Sequence, residues 1–170
     1  MPITRTRLAL LAAALVLTPT SASFAQETEA GAETPHPEIA VGETLPGAFF
    51  MKPEGEGPFP AIILLGGSEG GDSGARRKAP LFLEQGYAVL GLPYYSPAWG
   101  NPPQFPALPQ AFDAIPVESA GLARDWLAAR DDIRAEDIGL YGVSKGAEFV
   151  LLAGSYMDGF AAIAATALEI

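Results

Sequence analysis

Gly142-Val143-Ser144-Lys145-Gly146 is the stretch of this 170-residue chain whose residue types and spacing best fit covalent chemistry. The apolar run Ile138-Gly139-Leu140-Tyr141 leads into it, and Ala147-Glu148-Phe149-Val150-Leu151-Leu152 leads out. That context predicts a strand, a sharp turn and a helix, the setting of a nucleophile elbow. Strand and helix would collide if the residues flanking the serine carried side chains, so glycine stands on both sides. The serine is held strained with its hydroxyl lifted clear. The chemistry is acyl transfer: Ser144 attacks an acyl carbon, and backbone N–H groups take the negative charge that develops on oxygen. The N–H of Lys145, at the start of the helix, is one such donor, and the helix N-terminus adds positive potential.

A second donor has to come from another element. Ala61-Ile62-Ile63-Leu64-Leu65 is apolar without alternation, which predicts a strand buried on both faces of a parallel sheet. It runs into Gly66-Gly67-Ser68-Glu69-Gly70-Gly71. The glycines have the spacing of a phosphate loop, but Asp72 stands where that motif demands lysine, so a negative charge would face the phosphate. Nucleotide binding is therefore set aside. Two readings remain: a turn that offers the N–H of Gly67 or Ser68 to an oxyanion, and a tight turn that only ends the strand.

The remaining elements must position these two turns. Leu45 to Met51 reads as a short strand, and Lys52 to Pro58 as a turn cluster. Ala75 to Gln85 reads as a helix stopped by Gly86, with Pro80 suggesting a start at that residue. Tyr87 to Gly91 is the next buried strand, so strand, helix and strand form a right-handed parallel crossover. Between Leu92 and Pro116 repeated prolines exclude most regular structure, with Tyr94, Tyr95, Trp99, Phe105 and Phe112 among them. These aromatics form either a satellite cluster packed on the sheet or an apolar wall over a site. Pro116 opens a helix to about Arg130, with Leu122, Trp126 and Ala129 on one stripe. Asp131 to Asp137 is a charged, exposed connection to the elbow strand, and Phe160 to Thr166 a last buried strand. Alternating strands and helices around Gly-x-Ser-x-Gly point to the α/β class and the α/β-hydrolase fold, a mostly parallel sheet with helices on both faces.

The first 25 residues read as an address rather than as fold. Arg5 and Arg7 precede the apolar run Leu8 to Leu17, and Ser23-Phe24-Ala25 is a small-x-small cleavage site, so residues 1–25 are expected to be a secretory signal peptide. The run is too short to span a bilayer, so no membrane anchor is expected. Residues 26–44 read as a polar linker, mobile and acidic, leaving 45–170 as hydrolase domain. His36, the single histidine, falls in that linker between Pro35 and Pro37. It reads as a solvated residue unless the arm folds back over the domain. The net charge of −10, or −12 without the leader's two arginines, argues against nucleic acid and anionic lipid as partners. With no cysteine there is no disulfide, thiolate nucleophile or cysteine-ligated metal. The expected location is periplasmic or secreted.

Four stretches together resemble one family. They are Leu64-Leu65-Gly66-Gly67-Ser68-Glu69-Gly70-Gly71, Gly86-Tyr87-Ala88-Val89-Leu90, Ile115-Pro116-Val117-Glu118 and Gly142-Val143-Ser144-Lys145-Gly146-Ala147-Glu148. From about Leu45 to Thr166 they look like the catalytic domain of the acyl-CoA thioester hydrolases and bile acid-CoA:amino acid N-acyltransferases, a branch close to the dienelactone hydrolases. Ser-Glu-Gly-Gly combined with Gly-x-Ser-Lys-Gly-Ala-Glu is more specific than Gly-x-Ser-x-Gly alone. The resemblance implies a nucleophile at Ser144, where other members carry cysteine, a small-molecule ester or thioester substrate, and no cofactor or metal. An exported protein does not meet coenzyme A, which favours an ester or another acyl group of the envelope. The resemblance also implies that acid and histidine follow in the order Ser, acid, His. Four residues after the last strand cannot hold them, so the expectation is the N-terminal part of a hydrolase, incomplete at its C-terminus and inactive alone. Lys145 projects away from its neighbour Ser144, and Glu148 or Glu169 could orient a base but not replace one at neutral pH. The alternative expectation is a non-catalytic binding or interaction protein that keeps the sheet and the aromatic loop.

Overall fold

The structure, a computed structural model, describes residues 36–99 and 102–167. The expected signal peptide, residues 26–35 of the expected linker and Glu169 lie outside them. The described elements run in the order β1 (Ile39–Ala40), β2 (Phe49–Met51), β3 (Phe59–Leu65), α1 (Ser73–Leu83), β4 (Ala88–Gly91), α2 (Glu118–Ala128), β5 (Ile133–Val143), α3 (Lys145–Tyr156) and β6 (Ala162–Thr166). They build one sheet of order β1-β2-β4-β3-β5-β6. β4, β3, β5 and β6 are mutually parallel, and β2 and β1 add antiparallel strands at one side.

Strand β3 shows why the sheet needs cover on both faces. Ala61, Ile63 and Leu65 belong to one buried cluster with Ala120, Ala123 and Leu127 of α2 and Phe149, Val150 and Ala153 of α3. Leu64, with Ile62 packed beside it, belongs to the other, with Ala75, Ala79 and Leu83 of α1. Period-two alternation of a strand that is apolar at every position demands a helix on each side. Burying each large side chain contributes roughly 1.5–3 kcal/mol relative to leaving it in water. The α/β-hydrolase reading, with helices on both faces, is the architecture found.

Several boundaries differ from the sequence expectation. Ile39↔Phe50 and Ala40↔Phe49 pair within the stretch read as linker, and Val41 is buried, so the folded domain begins before Leu45. A two-residue strand has no periodicity to detect. Helix α1 starts at Ser73 and carries Pro80 in its interior instead of starting there. Pro80 gives up one N–H rung, while Ala75, Ala79 and Leu83 keep that face of the helix buried. The charged run 131–137 is largely part of β5: β3 pairs Phe59 with Ile133 and then Ala61 with Ile138, so Arg134 to Asp137 bulge out as extra residues. Strand β6, read as buried, lies at the sheet edge with Ile163 39% exposed.

Asp132 clamps the beginning of β5. Its Oδ2 accepts from Lys52 Nζ at 2.9 Å and its carboxylate receives Arg130 Nε at 2.9 Å and Nη2 at 3.0 Å. The Arg130 bonds above all, with Lys52 beside them and burial opposing, hold this carboxyl down at about 2. A carboxylate depressed below its unfolded value near 4 gives its full stabilisation above that pH and loses it as pH falls towards 2. Asp132→Asn is therefore expected to lower stability at pH 7 by up to about 1 kcal/mol. In melts of both proteins from pH 7 to 2, the gap should close between about 4 and 2; a gap independent of pH would contradict this role.

Candidate active site

The chain reverses its direction of travel across the sheet between β3 and β5. From β3 it crosses through α1 to β4 on one side, then returns through α2 to β5 on the other. Ligand sites of open α/β sheets form in the crevice that such a reversal opens at the carboxyl ends of the strands. Here β3 ends in Gly66-Gly67 and β5 ends in Ser144, with Leu65 and Gly142 paired across the two strands.

Ser144 sits at φ 52°, ψ −115°, in the left-handed half of backbone space, between the last residue of β5 and the first of α3. A non-glycine residue there stores strain of about 1–3 kcal/mol. Its N–H bonds the carbonyl of Thr166 in β6 at 2.8 Å, and its carbonyl accepts the N–H of Ala147 at 2.9 Å. Its side chain is exposed. A Cβ on Gly142 would meet the carbonyl of Gly146, and one on Gly146 would meet the carbonyl of Gly66, with Leu65 O 3.0 Å away. Both glycines of the motif are thus required by backbone contact.

Ser144 opens onto a cleft of about 270 Å³ with Gly67, Ser68, Glu69, Arg77 and Lys78 among its walls. The position of a Cβ on Gly67 lies 3.3 Å from Ser144 Cβ, so the end of β3 faces the serine directly. Lys145 is the first residue of α3, and helix geometry leaves its N–H without an intrahelical partner. The fold therefore assembles Ser144, Lys145, Gly67 and Ser68 around one end of β5. Lys145 Nζ donates to both Glu148 carboxylate oxygens at 2.9 Å and lies 5.6 Å from the Phe112 ring centroid. The ammonium is thus held by Glu148 and the aromatic loop.

Two neighbours had no separate place in the sequence reading. The Glu69 carboxylate fills the space beside the glycines: Oε2 is 2.8 Å from where a Cβ on Gly67 would be and Oε1 2.9 Å from that of Gly66. Arg77 Nη2 stands 3.7 Å from Oε1. Tyr94 donates its hydroxyl to the carbonyls of Gly66 and Gly67, each at 3.3 Å. Burial first, then the charges of Glu69 and Glu148, push the Tyr94 phenol upward, which keeps it a neutral donor. Only its place in an aromatic, proline-rich loop signalled it. Asp72 braces the same loop, taking Gln104 Nε2 at 2.7 Å and Arg76 Nε at 2.5 Å.

His36 is far from this site. Its Nδ1–H donates to Lys52 O at 3.2 Å, and Lys52 pairs with Asp132, before the first residue of β5. Ser144 follows the last. At about 3.3 Å per residue, and allowing for the bulge, some 25 Å separate them. From His36 on, the arm does fold onto the domain, at the end of the sheet opposite Ser144. Among the described residues no group of three or more His, Asp or Glu side chains could hold a metal.

No family model matches the chain. It is 34% identical over 124 residues to acyl-coenzyme A thioesterase 5 of Mus musculus, covering 73% of this chain and 27% of that protein. With the mitochondrial acyl-coenzyme A thioesterase 2 of Homo sapiens it shares 32% over 116 residues, 68% of this chain and 22% of that one. Among solved structures, 2,6-dihydroxy-pseudo-oxynicotine hydrolase matches with a TM-score of 0.54 at 26% identity, over 66% of this chain and 30% of that one. The chain has an α/β-hydrolase fold, and over about two thirds of its length its sequence is similar to acyl-CoA thioesterases. A dienelactone hydrolase-like promiscuous phosphotriesterase from metagenomic libraries shares the fold, with a TM-score of 0.56 at 16% identity over 80% of this chain and 61% of that one. The chain spans about a quarter of the length of the curated relatives it matches.

The backbone contacts at the elbow make one substitution decisive. Gly146→Ala is expected to cost about 1–3 kcal/mol, because its methyl must displace the carbonyl of Gly66 and with it the end of β3. Urea denaturation of the two proteins measures this, and equal midpoints would refute the close approach.

Proposed function

We propose that this domain carries the nucleophile of an exported serine hydrolase that cleaves a small-molecule ester or thioester through an acyl-Ser144 intermediate. The observation that carries the reading is the strained, exposed Ser144 at the switch point, flanked by Gly67 and by the N-terminus of α3. In the first step a bond forms between Ser144 Oγ and the acyl carbon, and the bond to the leaving oxygen or sulfur breaks. The serine proton passes through a base to the leaving group. Water then attacks the acyl-serine, releasing the carboxylic acid and restoring Ser144. The N–H of Lys145 with that of Gly67 or Ser68 receives the oxyanion in both steps. The relatives are named for thioesters of coenzyme A, and the expected export favours an ester, so the acyl–heteroatom bond common to both is the proposal.

The reading needs an acid and a histidine that residues 36–167 do not bring to Ser144: His36 lies at the far end of the sheet, and Glu148 is engaged by Lys145. The intact protein is expected to be labelled at Ser144 by a fluorophosphonate, with labelling lost in Ser144→Ala. Absence of labelling favours the alternative of a binding protein that retains the fold without the reaction. By themselves the 170 residues should turn over nitrophenyl esters no faster than their Ser144→Ala form; a clear difference between the two would mean that a base is already present.

A further inference from the structure

On the other side of Lys145 lies a second hollow, of about 180 Å³. Its walls are Tyr94, Phe112, Ile115 and Val117 from the segment between β4 and α2, with Phe149 and Leu152 from α3. Lys145 and Glu148 complete its rim. The four α3 residues recur at positions i, i+3, i+4 and i+7, so they form one helix face that begins beside Ser144 and runs back along the sheet. At 1.5 Å per residue Leu152 stands about 12 Å along the axis from the serine. Tyr94 reaches from the hollow to the glycine turn that lines the cleft: its ring packs against Phe149 with centroids 5.1 Å apart, while its hydroxyl donates to the carbonyls of Gly66 and Gly67.

The outer wall is shaped with some strain. Phe112 stacks on Tyr95 at 4.1 Å, yet remains 46% exposed. Two residues on, Ala114 adopts φ 53°, and that turn lets both Phe112 and Ile115 line the hollow. A non-glycine residue held there marks a segment whose shape the surrounding packing dictates. The two cavities also differ in chemistry. The cleft at Ser144 has Ser68, Glu69, Arg77 and Lys78 in its walls, whereas six apolar or aromatic side chains wall the hollow and its two charged residues are paired with each other.

We infer that this hollow is the acyl-chain subsite of the Ser144 reaction, taking a benzoyl group or a short unbranched acyl group, while the polar cleft takes the leaving group. The inference rests on the reading of Ser144 as nucleophile. The size follows from volume: an apolar cavity of about 150 Å³ takes benzene, so this one fits benzoyl or roughly four to six carbons, and a longer chain must pass between Phe112 and Leu152. Leu152 and Phe112 are the residues that set the limit.

The test is a series of nitrophenyl esters, acetyl to dodecanoyl, with the intact protein. The ratio kcat/KM is expected to rise about tenfold from acetyl to hexanoyl and to gain nothing further by dodecanoyl. Leu152→Trp, at a position 51% exposed, should lower the hexanoyl-to-acetyl ratio about tenfold. Phe112→Ala, also at an exposed position, should flatten the profile and serves if the tryptophan variant does not fold. As a readout without turnover, hexan-2-one should shift the methyl NMR signals of Ile115, Val117 and Leu152. Fluorophosphonate labelling reports on Ser144 separately. Labelling with a chain-length profile unchanged in both variants overturns the acyl assignment and leaves the hydrolase reading standing, whereas an unreactive Ser144 overturns both.

Discussion

The tight contact between the ends of β3 and β5 is the constraint on which the rest of the structure depends. Leu65 and Gly142 are paired neighbours, and one turn of chain later Gly146 lies so near the carbonyl of Gly66 that no β-carbon fits between them. The same contact sets α3 over the sheet edge, lifts Ser144 into the left-handed region and brings Gly67 against it. The placements of Ser144, the N-terminus of α3 and the glycine turn are therefore consequences of one packing event. The strain at Ser144 is held because strand pairing on either side of β5 offsets it.

The loop between β4 and α2 is the second structural support of the site. Tyr94 and Tyr95 are almost wholly buried in the main core rather than in a satellite cluster, and from there they grip the glycine turn. Tyr94 holds two of its carbonyls, and the carbonyl of Tyr95 accepts the N–H of Gly71 at 2.8 Å. Asp72, the residue that excludes a phosphate loop, extends the brace by binding Gln104 from the far part of the loop. The beginning of the aromatic loop is thus part of the main core, and its end, at Phe112 and Ile115, lines a hollow with Lys145 and Phe149 of α3. Paired charges around the site serve the same economy. Lys145 is engaged by Glu148, which holds its ammonium on α3 and against Phe112.

The sequence by itself determined the strand–turn–helix at Ser144, the buried character of β3 and β4, and the glycine turn that ends β3. These rest on local rules: unbroken apolar runs, a motif in its context, and residues that only a tight turn requires. Boundaries were less legible because tertiary packing overrode propensity. The two-residue β1, the helix around Pro80 and the charged start of β5 are each held by partners distant in sequence: Phe49 and Phe50 for β1, Leu64 and Val89 packed on the buried face of α1, Lys52 for Asp132.

Tertiary structure alone decided which polar groups meet at the serine and which do not. No spacing in the sequence could show that Glu69 would fill the space beside Gly66 and Gly67, that Tyr94 would hold their carbonyls, or that His36 would dock beside Lys52. Those placements follow from strand order and crossover direction, which bring residues 67 and 144 together and carry residue 36 to the opposite end of the sheet. Local sequence fixes the shape a segment prefers, but the long-range pairing of strands decides which segments share an edge, and the chemistry of this site lies at such an edge.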